Sequence, residues 1–80
     1  MEQEIEEELQ EIYKNLIIEV EYKDIRKYEI ITKIEYQNSI YESKIQYTYD
    51  VKLTLQANTR IIEHIIDTNI IIPFFKNKEG

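Results

Sequence analysis

His64 is the only histidine of the chain, with Glu63 beside it and Asp67 three residues on. An imidazole next to carboxylates is the raw material of a general base or a metal site. On a helix, however, only His64 and Asp67 share a face. No second imidazole and no cysteine exists, and a zinc site takes three or four ligands. The only serines, Ser39 and Ser43, fall near an expected turn and give no basis for a hydroxyl nucleophile paired with His64. The sole glycine is Gly80, so no glycine-rich loop can cradle a phosphate. These residues predict no enzyme, no metal and no cofactor.

Seven tyrosines are the next chemically conspicuous set. Tyr22, Tyr28, Tyr36, Tyr41, Tyr47 and Tyr49 lie on or near expected strands, where an aromatic ring packs while its hydroxyl stays wet. A stacking platform for nucleotides would need neighbouring Lys or Arg and an open aromatic face. Here the aromatic face is expected to lie under helices, so the tyrosines read as core and core rim.

The strongest signal is anionic. Six of the sixteen acidic residues precede Ile12, leaving ten acids to balance ten bases, so the net charge of −6 resides in the first eleven positions. Glu4, Glu7, Glu8 and Glu11 follow the spacing of one helical stripe. Acids in a first helical turn suit the helix dipole, and a solvated acidic face aids solubility. A ridge of one sign also steers association with a basic partner and selects it.

Local patterning must position these groups. Ile5, Leu9, Ile12, Tyr13 and Leu16 make one apolar stripe, which predicts a helix over residues 2 to about 15. The pattern then alternates. Ile18, Val20 and Tyr22 predict a first strand; Tyr28, Ile30, Thr32, Ile34 and Tyr36 a second; and the run from Ile45 to Gln56 a third. Without internal glycine, loops of three to six residues using Asp24, Asn38 and Ser39 are expected in place of tight primed turns. Setting Tyr36 opposite Ile45 puts Glu29 beside Lys52, whereas a tight turn at Asn38-Ser39 would oppose Glu35 to Glu42 and Lys33 to Lys44. The wider loop leaves Ile40 and Tyr41 projecting from the hairpin tip. Ile61, Ile62, Ile65 and Ile66 predict a second helix, with Asn58 or Thr59 as its N-cap and Asn69 as its stop. Ile70 to Phe75 is too apolar for a free tail. It is expected to fold back as a short edge strand ending at Pro73, or to meet another subunit through Ile70, Ile72, Phe74 and Phe75.

The expectation is one α+β domain over residues 1–80, in the order α-β-β-β-α, with a three-stranded antiparallel meander and two helices on one face. This order resembles the double-stranded-RNA-binding domain. That resemblance lacks its basic cluster before the second helix, and the charge has the wrong sign for direct nucleic-acid binding, so no family is assigned. The absence of cysteine, signal segment and long apolar run predicts a soluble cytoplasmic protein without a membrane role. Ile, Lys, Tyr, Asn, Phe and Met, whose codons are AT-rich, make up half the chain, a bias common in viruses and mobile elements. Small size, acidity and missing catalytic groups are similar to those of virus-encoded inhibitors such as anti-CRISPR proteins. The functional expectation is a non-enzymatic binding protein. It would use Glu4, Glu7, Glu8 and Glu11, with Ile40 and Tyr41, to occupy the basic surface of a nucleic-acid-binding host protein. The alternative is a homodimer or larger assembly built through the apolar C-terminal segment.

Overall fold

A computed structural model describes residues 1–79 of the chain. Helix α1 spans Glu2–Ile12, and its Ile5 and Leu9, one turn apart, are fully buried. It stops about one turn earlier than its apolar stripe. Tyr13 leaves helical geometry (φ −109°, ψ 85°), and Gln10 Nε2 ties the exit by donating to the carbonyls of Tyr13 and Leu16, each at 2.7 Å. The Tyr13 hydroxyl is held instead by the far end of the second helix, which draws the residue out of the helical spiral.

Strands β1 (Ile17–Asp24), β2 (Lys27–Tyr36) and β3 (Ser39–Thr48) form an antiparallel meander in the order β1-β2-β3. Ile18, Val20, Tyr28, Ile30, Ile34 and Tyr47 bury one sheet face against Ile5, Leu9, Ile62, Ile66 and Ile70 of the flanking helices. The opposite face is laced by ion pairs: Lys33 Nζ lies 3.6 Å from Glu19 and 4.0 Å from Glu42, and Lys23 Nζ 2.9 Å from Glu21 and 3.7 Å from Glu29. The α+β class and the α-β-β-β-α order are those expected from the sequence.

Both hairpins are tighter than expected. Tyr36 faces Ser39, so Gln37 and Asn38 alone make the second turn, both at positive φ (51° and 65°). That is the geometry of a primed two-residue turn, adopted here without glycine. Tyr36 therefore does not face Ile45. The register instead sets Lys33 against Glu42, an opposite-charge pair that neither the wide loop nor a turn at Asn38-Ser39 would make. In the first hairpin Asp24 faces Lys27, Arg26 takes φ 59°, and Asp24 Oδ1 accepts the Ile25 N–H at 2.7 Å. A left-handed Gln or Arg is unfavourable by itself, and here the cross-strand pairing outweighs it.

The third strand is displaced toward the N-terminus of its expected range. It ends at Thr48, and Asp50 to Leu53 form a turn in which the Leu53 N–H donates to the Asp50 carbonyl (3.1 Å) and the Lys52 N–H to Asp50 Oδ1 (2.9 Å). Val51 and Leu53 are exposed, so their alternation with polar neighbours marks no buried face. Helix α2 (Leu55–Ile66) begins one turn earlier than expected. Thr54 is its N-cap, accepting the Ala57 N–H at 3.0 Å, while Asn58 and Thr59 are buried inside the helix. Asn58 fastens the preceding turn. Its Oδ1 accepts from the Tyr47 hydroxyl (2.5 Å) and the Asp50 N–H (2.9 Å), and its Nδ2 donates to the carbonyls of Asp50 (3.0 Å) and Thr54 (2.9 Å).

Asn69 does not stop the helix, and no edge strand follows. The chain passes through a π-helical turn, Asp67–Ile71, directly into α3, Ile72–Glu79. Pro73 lacks the N–H that would bond back to Asn69, and the wider π turn gives its ring room against the preceding carbonyls. Ile70 points into the core, which keeps this segment helical and on the domain.

Candidate binding surface

Helix α1 carries two polar stripes with different tasks. Glu2, Glu6 and Gln10, spaced by four, run along the free edge of β1. Their side-chain oxygens accept the N–H groups of Tyr22 (2.8 Å), Val20 (3.0 Å) and Ile18 (3.1 Å). An edge strand otherwise presents unpaired amides that recruit other strands, and these three side chains close that row. The sequence reading did not single out this stripe. Its signal was a set of acceptors at helical spacing ahead of a strand of matching length.

The second stripe is the expected ridge. Glu4 is exposed, and its Oε1 lies 3.2 Å from the chain's N-terminal ammonium; that hydrogen bond, a backbone hydrogen bond and the ammonium's field hold its carboxyl below the usual glutamate range. Glu7 is exposed and accepts a 3.3 Å hydrogen bond from Gln3, one turn before it. Glu11 is exposed and lines a shallow hollow with Glu7, Gln10 and Lys14. Glu8 is half-buried and shares a second hollow with Arg60 and Glu63 of α2. Among the described residues no Lys or Arg nitrogen comes within ion-pair distance of Glu7, Glu8 or Glu11. On the outer sheet face Lys23 and Lys33 are engaged with carboxylates of that face and do not reach the ridge.

Ile40 and Tyr41 do not join the ridge. They lie on β3 past a tip made by Gln37 and Asn38, with β1 and β2 between them and α1. Ile40 is exposed on the outer face, whereas the Tyr41 ring packs edge-on against Phe74 at 5.1 Å beneath the Lys78 ammonium, 4.6 Å from its centroid. The four apolar residues of the C-terminal segment also separate. Ile70 is a core residue, and Phe74 is enclosed by Tyr36, Tyr41 and Phe75 at 5.6, 5.1 and 5.1 Å; Ile72 and Phe75 remain exposed.

His64 sits exposed near the end of α2, and among the described residues no three His, Asp or Glu side chains gather where they could hold a metal. Asp67 serves another purpose: it accepts the Tyr13 hydroxyl at 2.6 Å, and that hydroxyl also meets the Glu63 carbonyl at 2.9 Å. Burial first, then the bond to Asp67, pushes the Tyr13 phenol above the usual tyrosine range, and burial does the same for Tyr28 and Tyr47. These are locks between elements, and Tyr13 also lines a hollow of about 290 Å³ with Leu16, Ile34, Ile71 and Phe75. No described helix is long and apolar enough to cross a membrane. The chain matches no protein-family model, and no curated protein or solved structure is significantly similar to it.

Proposed function

We propose that the chain is a non-enzymatic binding protein that lays the Glu4, Glu7, Glu8 and Glu11 ridge of α1 on the basic surface of a nucleic-acid-binding protein, its carboxylates standing where phosphates would. The observation that carries this reading is the division of labour within α1. Glu2, Glu6 and Gln10 are committed to the sheet edge, whereas among the described residues no Lys or Arg nitrogen lies within ion-pair distance of Glu7, Glu8 or Glu11. Like charges one turn apart disfavour a helix by ~0.2–0.5 kcal/mol per pair, a cost that a basic partner would reverse. Together with the AT-rich composition, this favours a virus- or mobile-element-encoded inhibitor of a host protein, acting in the cytoplasm.

The test is capture from the host cytosol on immobilised chain, with elution by salt and by duplex DNA or RNA. A partner held through the ridge is released by either nucleic acid, dissociates steeply as ionic strength rises, and is lost from a folded variant carrying Glu7→Lys, Glu8→Lys and Glu11→Lys. Capture that survives the triple reversal, or that nucleic acid does not compete, refutes the reading.

A further inference from the structure

The two edges of the sheet are treated differently. Along β1 every second amide, at Ile18, Val20 and Tyr22, is taken by an α1 side chain. Strand β3 is ten residues long and pairs on one side only. The Tyr49 N–H donates to the Arg26 carbonyl, and Tyr36 faces Ser39 across the two-residue turn. By antiparallel alternation Ser39, Tyr41, Ser43, Ile45 and Tyr47 turn their backbone groups toward β2, and Ile40, Glu42, Lys44, Gln46 and Thr48 turn theirs outward. Among the described residues no hydrogen bond reaches that outward row. It is an open template for another strand.

Its side chains select which strand. Consider a second copy related by a two-fold axis through Ser43, so that each Ser43 faces its mate. Glu42 of each copy then lies opposite Lys44 of the other, Ile40 opposite Gln46, and on the helix side Tyr41 opposite the half-buried Ile45. Moving the axis to Glu42 sets Glu42 against itself, and moving it to Lys44 sets Lys44 against itself. Odd slips would oppose an outward residue to an inward one and break the ladder. The register centred on Ser43 makes two opposite-charge pairs where its two neighbouring registers each make a like-charge contact. In that arrangement the two three-stranded sheets join into one of six continuous strands with an α1-sealed β1 at each end, so no open edge remains.

We propose that β3 is a self-complementary interface through which two copies of this chain pair antiparallel about Ser43. The surface is separate from the α1 ridge, so the proposal stands or falls independently of the function proposed above; it adjoins the C-terminal segment only where Tyr41 packs on Phe74.

Charge exchange tests it on the full chain by sedimentation equilibrium, with circular dichroism verifying that each variant is folded. The wild type populates a species of twice the 9.8 kDa chain mass as concentration approaches millimolar. Glu42→Lys alone and Lys44→Glu alone each shift the chain toward monomer, weakening self-association at least tenfold. Mixing the two variants restores a dimer, because every Glu42 or Lys44 position then meets the opposite sign, and the double exchange in one chain restores it too. A wild type that stays monomeric at millimolar concentration overturns the proposal. So does a dimer equally strong in both single variants, or single variants that do not recover on mixing. Should either single variant fail to fold, the wild-type measurement and the double exchange still decide.

Discussion

Replacing Asn58 by alanine strikes the joint between the sheet and α2. The side chain is fully buried and makes four hydrogen bonds of 3.0 Å or less: from the Tyr47 hydroxyl, from the Asp50 N–H, and to the carbonyls of Asp50 and Thr54. At about 1 kcal/mol each, with the two bonds to exposed Asp50 halved because water replaces them, the loss is about 3 kcal/mol. That is comparable to the roughly 3–5 kcal/mol of net stability expected of so short a chain, so Asn58→Ala should be largely unfolded or close to it at room temperature. Tyr47→Phe alone should cost about 1 kcal/mol, since it removes one bond and leaves Asn58 three others. In the Asn58→Ala background the same change should be neutral or stabilising, because it removes a hydroxyl left without its partner in a core where Tyr47 is only 8 % exposed. Urea denaturation of all four proteins, followed by circular dichroism in a common concentration of stabilising osmolyte, gives the coupling energy. Additive losses, or an Asn58→Ala cost below about 1 kcal/mol, would refute the account of this joint.

Raising the pH past 10, the ordinary tyrosine value, should unfold the protein progressively. Unfolded tyrosines release protons there that folded Tyr13, Tyr28 and Tyr47 retain, so stability is complete below that pH and declines above it. Tyr13→Phe should flatten this decline while costing about 1–2 kcal/mol at neutral pH, read from denaturation midpoints; an unchanged alkaline slope counts against the Tyr13–Asp67 lock. Glu6→Ala should speed amide exchange at Val20 while Glu6→Gln, which keeps an acceptor, should not; equal protection in both would mean that the α1 side chain does not close the β1 edge. Thr32 is fully buried with its hydroxyl unpartnered, so Thr32→Val should stabilise the chain by about 1 kcal/mol in the same assay, and a loss would show that the hydroxyl has a partner in solution.

Periodicity made much of the architecture legible. The stripe around Ile5 and Leu9, the alternation of β1 and β2 and the isoleucines of α2 predict elements that the fold contains, because each pattern is the local imprint of one buried face. The clustering of Glu4, Glu7, Glu8 and Glu11 is likewise a property of helical spacing, visible before any packing is known. Boundaries and register were not local. Val51 and Leu53 alternate like a strand yet form an exposed turn, because Asn58 clasps the Asp50 backbone from another element. Gln37 and Asn38 accept left-handed backbone because the Lys33–Glu42 pairing and a ten-residue ladder outweigh the turn's own preference. The segment after Asn69 reads as a strand or a sticky tail, but burial of Ile70 and the aromatic enclosure of Phe74 keep it helical. Composition and spacing alone thus determine which faces are apolar and which carry charge. Which polar groups meet, and therefore which carboxylates seal an edge and which stay free, depends on contacts between residues far apart in the chain, whose energies no local pattern encodes.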